Sequence, residues 1–211
     1  MKQSNNHTQS STKPRPVIGI TGHTGGGASS FAKVLEQYGA LIISADKLAH
    51  EELEKTGENY CTIIETFGTD ILAQDGNINR SKLAALVFGK GNEENRKKLE
   101  GIIHPAVLKK TREIIEKRRY DPGIIAIVID APLLIESGLD ENCDSTVFVN
   151  ADKQTRVKRI MKRDEIDYIS AVNRIESRIE PNFSKIDIVI DNNGSYENLH
   201  HEAKQYILSQ D

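Results

Sequence analysis

Short apolar runs alternate with longer stretches of helical spacing along this chain. Val17-Ile18-Gly19-Ile20 is the first run, Ala40 to Ile43 the second and Ile124 to Ile129 the third. Thr146 to Val149 and Ile186 to Ile190 complete the set. Runs this short and rich in β-branched residues predict buried strands of a parallel sheet. A first helix is predicted over Phe31 to Tyr38, with Gly39 placed to end it. Residues 47–119 contain no strand-like run and read as helical: Lys47 to Glu54, Thr62 to Phe67, Ser81 to Phe88 and Glu93 to Ile103. Asp75-Gly76-Asn77 marks a turn among them. His104-Pro105 predicts a break, because proline lacks a backbone donor and disfavours helix in the residue before it. Helix resumes over Ala106 to Arg119 and ends at the turn Tyr120-Asp121-Pro122-Gly123. Lys153 to Arg163, Glu165 to Ile179 and Tyr196 to Leu208 are the remaining helices. Five strands alternating with helices predict an α/β fold with a doubly wound parallel sheet. The long helical stretch reads as an insertion capping the ligand crevice.

The join between the first strand and the first helix carries the strongest chemical signal. Gly22, Gly25, Gly26 and Gly27 crowd into a short loop, followed by Ala28, Ser29 and Ser30. Strand, glycine loop and helix in this order frame a phosphate-binding P-loop. Glycines let successive N–H groups turn toward an anion, and the helix N-terminus adds partial positive charge. Gly22, Gly27 and Ser29 match the spacing G-x-x-x-x-G-K-[ST], and Ser29 stands where a hydroxyl would hold Mg²⁺. The lysine position holds Ala28.

Carboxylates and arginines elsewhere fit such a loop, each with a plainer alternative. Asp46 follows the second strand, on the side where open α/β sheets bind ligands, but would serve equally as a helix N-cap. Asp130 ends the third strand in the manner of a Walker B carboxylate, or as a turn cap. Leu133 and Glu136 follow it as core plus surface, or as a pocket wall beside a polar anchor. Arg156, Arg159 and Arg163 share one helix face. They form a solvated stripe, or a lid that brings charge to a polyphosphate.

Composition narrows the partners. The 211-residue chain carries 28 basic and 31 acidic side chains, a formal net charge of -3 that gives no reason to expect nucleic acid. No apolar run approaches the roughly 20 residues needed to span a bilayer. Cys61 and Cys143 lack metal-ligand spacing, so a reducing cytoplasm is expected. Residues 1–16 are polar, lack the apolar segment of a secretory signal and read as a disordered tail. Lys13 and Arg15 at its end are solubilising charges, or substitute cations for the loop.

Taken together, several stretches resemble the dephospho-coenzyme A kinase family. They are residues 18–46, 48–54, 104–105, 128–140, 156–166, 174–175 and 189–194, in the family's order. The resemblance implies a P-loop NTPase-type sheet core over 17–46 and 121–211, with a lid near 153–180. It implies a helical substrate-binding insertion over 47–120. It also implies transfer of the γ-phosphate of ATP, with Mg²⁺, to the ribose 3′-hydroxyl of dephospho-coenzyme A. Asp46 then falls on the catalytic base, and Arg159 and Arg163 on lid arginines facing the phosphates. Asn192 and Gly194 fall beside the nucleotide base. His104, Pro105, Leu133 and Glu136 fall near the second substrate, and Ser29 and Asp130 near the metal. Ala28 departs from the pattern, as do Ser44 in place of a first carboxylate and Arg178 in place of glutamine. The loop from Glu180 to Ile186 is shorter than usual.

A charge-assisted hydrogen bond to phosphate contributes roughly 1.5–3 kcal/mol, so the missing lysine weakens nucleotide binding by about one to two decades. The sequence therefore admits two readings. One is an active kinase using Asp46, Arg159 and Arg163. The other is a catalytically impaired relative that binds nucleotide or coenzyme A as a sensor.

Overall fold

A computed structural model of the chain describes residues 13–89, 91–176 and 182–210. The first twelve residues of the expected tail, together with Arg178, Ile179 and Glu180, lie outside this set. Five parallel strands form the sheet: β1 (Val17–Gly22), β2 (Ala40–Ser44), β3 (Ala126–Asp130), β4 (Ser145–Asn150) and β5 (Ile188–Asp191). Their spatial order is β2-β3-β1-β4-β5. β1, β3 and β4 are almost wholly buried, which explains why they read as unbroken apolar runs rather than alternations.

Both faces of the sheet are covered. On one, α1 (Ala28–Gln37) and the C-terminal α8 (Tyr196–Leu208) bury Phe31, Val34, Leu35, Leu199 and Ile207 against Ile18, Ile20, Val128 and Val149. On the other, Val17, Ile43, Ile127 and Ile129 share one apolar cluster with the helices between β2 and β3. Those helices are α2 (Ala45–Glu51), α3 (Tyr60–Phe67), α4 (Arg80–Val87) and α5 (Glu93–Arg118). Residues 153–176 form α6 (Lys153–Asp164) and α7 (Tyr168–Glu176), which bury Val157, Ile160, Ala171 and Ile175 against each other.

Three element expectations need correction. The break at His104-Pro105 is absent, and α5 runs through Pro105 for 26 residues. Ile103, Ala106 and Val107 flank the proline and are buried, so core packing outweighs one lost helical bond. The helix expected to start at Glu165 begins at Tyr168, because Glu165 adopts φ 54° and ends α6. The first helix begins at Ala28 rather than Phe31, as soon as Gly27 leaves its left-handed conformation at φ 104°.

Candidate active site

The loop after β1 is held by contacts that only glycine permits. A Cβ at Gly22 would lie 2.5 Å from the Val149 carbonyl oxygen, and one at Gly26 2.6 Å from the same atom. At Gly27 it would lie 2.2 Å from Asn192 Nδ2. The loop is thus pressed onto the end of β4 and onto Asn192. Asn192 is buried and donates to the Gly26 carbonyl at 2.7 Å. Arg159 of α6 lies over the same corner, 3.5 Å from the Gly26 carbonyl and 3.4 Å from both Asn192 Oδ1 and the Gly194 carbonyl. Gly26, Asn192, Gly194 and Arg159, far apart in the chain, therefore meet in one buttress. His23 adds another anchor, edge-on to Phe148 with ring centroids 4.9 Å apart and Nδ1 3.4 Å from Asn150 Oδ1.

A second group gathers where α1 starts. β3 lies between β1 and β2, with Asp130 in register with Ile20 on one side and Ser44 on the other. The end of β3 is thereby brought between the phosphate loop and the start of α2. Burial raises the Asp130 carboxyl above its ordinary range, and the negative charge of Asp46 adds to this. The Ser29 hydroxyl, bonded to Asp130, and the charge of Lys33 pull the other way. Ser44 is the N-cap of α2, accepting from the Lys47 N–H at 3.4 Å, so Asp46 is not the cap and its carboxylate is exposed.

Other expected residues stand apart. Arg163 makes a two-pronged pair with Asp164 at 2.7 and 2.9 Å. Arg174 joins the same carboxylate, and Arg163 above all holds it at about 2. Arg15 sits at the opposite end of β1, bonded to the carbonyls of Asp121 and Pro122, so it is no substitute cation for the loop. His104 is half-buried on α5, while Pro105, Leu133 and Glu136 are exposed. None of these four lines the cavity of about 490 Å³ bordered by Leu53, Lys55, Thr56, Asn77, Ile78 and Arg80. The basic side chains Lys55 and Arg80 escaped sequence reasoning because no motif frames them. Burial chiefly pushes the Cys143 thiol up to about 12, which disfavours its thiolate.

The donors at the head of α1 are all oxygen: a hydroxyl and two carboxylates. That set suits a hard cation that keeps its remaining ligands from water and phosphate. Among the described residues no cluster of three or more His, Cys, Asp or Glu could cage a metal by itself.

A parallel sheet with this loop, Ser29 against the carboxylate ending β3 and a basic helix over the loop define a P-loop kinase. The family described as CoaE, dephospho-CoA kinase, matches residues 16–198. A dephospho-CoA kinase of Fusobacterium nucleatum is 38% identical over 192 residues, covering 90% of this chain and 96% of that protein. The crystal structure of TT1252 from Thermus thermophilus is similar with TM-score 0.74 and 28% identity, covering 93% of this chain and 98% of that one. A dephospho-CoA kinase from Campylobacter jejuni has TM-score 0.62 at 28% identity, covering 93% and 97%. The chain belongs to the dephospho-CoA kinase family.

Proposed function

We infer that this protein transfers the γ-phosphoryl group of ATP to the ribose 3′-hydroxyl of dephospho-coenzyme A. The observation that carries the reading is Ser29 beside the Asp130 carboxylate at the head of α1, with the end of β2 in register with Asp130 and the charge of Asp46 felt there. Asp46, exposed and released from capping, is the general base for the acceptor hydroxyl. The backbone of Gly25, Gly26, Gly27, Ala28, Ser29 and Ser30 binds the phosphates. Asn192 and Arg159 keep that loop in shape. Ser29 and Asp130 would hold Mg²⁺, which neutralises charge on the phosphates. Arg163 enters from the lid only after parting from Asp164.

On this reading residues 17–46 and 121–211 form the nucleotide core, with a lid over about 153–180, and 47–120 receive the second substrate. His104, Pro105, Leu133 and Glu136 border that substrate. Two unpaired thiols accord with a cytoplasmic setting. Among the described residues no helix is long and apolar enough to cross a membrane.

The test is an assay of the purified chain with MgATP and dephospho-coenzyme A. Asp46→Asn is expected to lower kcat by roughly 10²–10⁴-fold, the usual contribution of a positioned base. A parent that forms no 3′-phosphorylated product, or an Asp46→Asn variant as fast as the parent, would overturn the reading.

A further inference from the structure

A phosphate loop without its lysine needs its cation from somewhere else in the fold. Around this loop most described cations are already engaged. Arg15 is at the far end of β1, Arg163 is paired with Asp164, and Lys33 is exposed on α1 with its charge favouring the ionised form of Asp130. Arg159 is directed at the Gly26 and Gly194 carbonyls and Asn192. Arg156 differs from all of these. It lies in the first turn of α6, with its backbone packed on the loop. A Cβ on Gly25 would be 3.0 Å from the Arg156 carbonyl oxygen and 3.2 Å from its Cα. Its Nε is buried and has no hydrogen-bond partner.

A buried cationic donor without an acceptor is costly, and native folds rarely keep one without a purpose. Thr24 Oγ1, the residue before Gly25, is also buried and without a partner. One unsatisfied donor thus belongs to the residue before Gly25, and the other to the residue whose backbone packs on that same glycine of the phosphate loop. An anion is the partner that both lack. A guanidinium offers several N–H groups in one plane, which suits the oxygens of a phosphate.

We propose that Arg156 is the phosphate-binding cation of this protein, reaching from α6 to the polyphosphate whose usual lysine partner is replaced by Ala28. The proposal rests on reading the loop as a nucleotide site, but not on turnover. It ties the missing lysine to the lid: the cation arrives on a helix rather than from within the loop. Ligand charge, rather than the base or sugar, is what Arg156 recognises.

Calorimetry of the full chain with MgATP, MgADP and AMP tests this in the parent, Arg156→Gln, Ala28→Lys and the double variant. Arg156→Gln is expected to weaken MgATP by roughly 10–100-fold, the loss of one charge-assisted contact, and AMP by less than about twofold. Adding Ala28→Lys to Arg156→Gln restores most of the MgATP affinity. Equal losses for MgATP and AMP, unchanged MgATP affinity, or no recovery in the double variant would each overturn the proposal. Should Arg156→Gln fail to fold, the parent background decides. Ala28→Lys alone is expected to gain less than about tenfold, because a cation already serves the phosphates; a gain near 100-fold refutes that. A parent that binds no MgATP refutes it as well. Phosphate-dependent binding without transfer to dephospho-coenzyme A would sink the kinase reading and leave the role of Arg156 standing.

Discussion

Asp130 shows what a buried carboxylate costs a fold. It ends a buried strand, and burial together with the nearby Asp46 charge raises its carboxyl. A carboxyl with a raised value is strained in its charged form at neutral pH. Asp130→Asn removes that charge while keeping a hydrogen-bond partner for Ser29. The unliganded variant is therefore expected to melt roughly 2–4 °C higher at pH 7, about 1 kcal/mol for a chain of this size. Mg²⁺-dependent turnover should fall in the same variant. A lower melting temperature in differential scanning calorimetry would show that the carboxylate stabilises the unliganded fold.

α5 is the axis of the helices between β2 and β3. α2, α3 and α4 all pack on α5. Glu52, just past α2, is fully buried, with Lys110 Nζ of α5 2.7 Å from Oε1 and the Asn59 side chain donating to Oε2 at 2.8 Å. Burial pushes the Glu52 carboxyl upward, yet the bonds from Lys110 and Asn59 outweigh it and hold it below its ordinary 4.5. A lowered carboxyl contributes stability above the unfolded value that is lost as pH falls through the folded one. Lys110→Met should thus destabilise by about 1–3 kcal/mol at pH 7, less than for a fully buried pair because Lys110 is partly exposed. The gap should begin to narrow as pH falls below 4.5 and close as it passes through the lower folded value, where the parent loses its pair. Urea titrations at pH 7 and pH 4 check this, and a gap independent of pH would contradict it.

Pro105 belongs to the same axis. Its ring removes the bond that would run to the Gly101 carbonyl, and Gly101 has open space around its Cα. Pro105→Ala should restore that bond and add about 1–3 kcal/mol of stability, read as a higher urea midpoint at unchanged slope. If Pro105 borders the second substrate, KM for dephospho-coenzyme A rises in the same variant while that for ATP holds.

For the whole molecule the question is what ligand does to three apolar clusters. One cluster spans the sheet and the insertion, a second lies under α1 and α8, and among the described residues α6 and α7 bury four side chains between them. On the proposed function, MgATP bound at the junction of the loop with α6 would stabilise the folded chain by mass action. At 100 times Kd this is about 2.7 kcal/mol, or a melting shift of roughly 5–10 °C. A thermal-shift series in MgATP that stays flat would contradict nucleotide binding at this junction.

The strands, the glycine loop and most helices were legible in the chain because they depend on neighbours a few residues away. Apolar runs, glycine spacing and caps are local signals, and Tyr196–Leu208 was even bounded correctly. The α5 break was misread because a local rule about proline met a long apolar face that overrode it. Which arginine of α6 meets which part of the loop was beyond local reasoning. Arg156, Arg159 and Arg163 share a face, yet one abuts Gly25, one reaches Gly26 and Asn192, and one turns to Asp164.

By itself, then, the sequence determined the parallel α/β framework, the phosphate loop and the family resemblance, all written in short-range pattern. Only the tertiary structure decided that Ser29, Asp130 and Asp46 converge, that Asn192 buttresses Gly26, and that Arg156 abuts Gly25 with its Nε unpaired. Those meetings depend on strand order and on the packing of α6 against the loop, relations between residues up to 166 positions apart, which no local periodicity records.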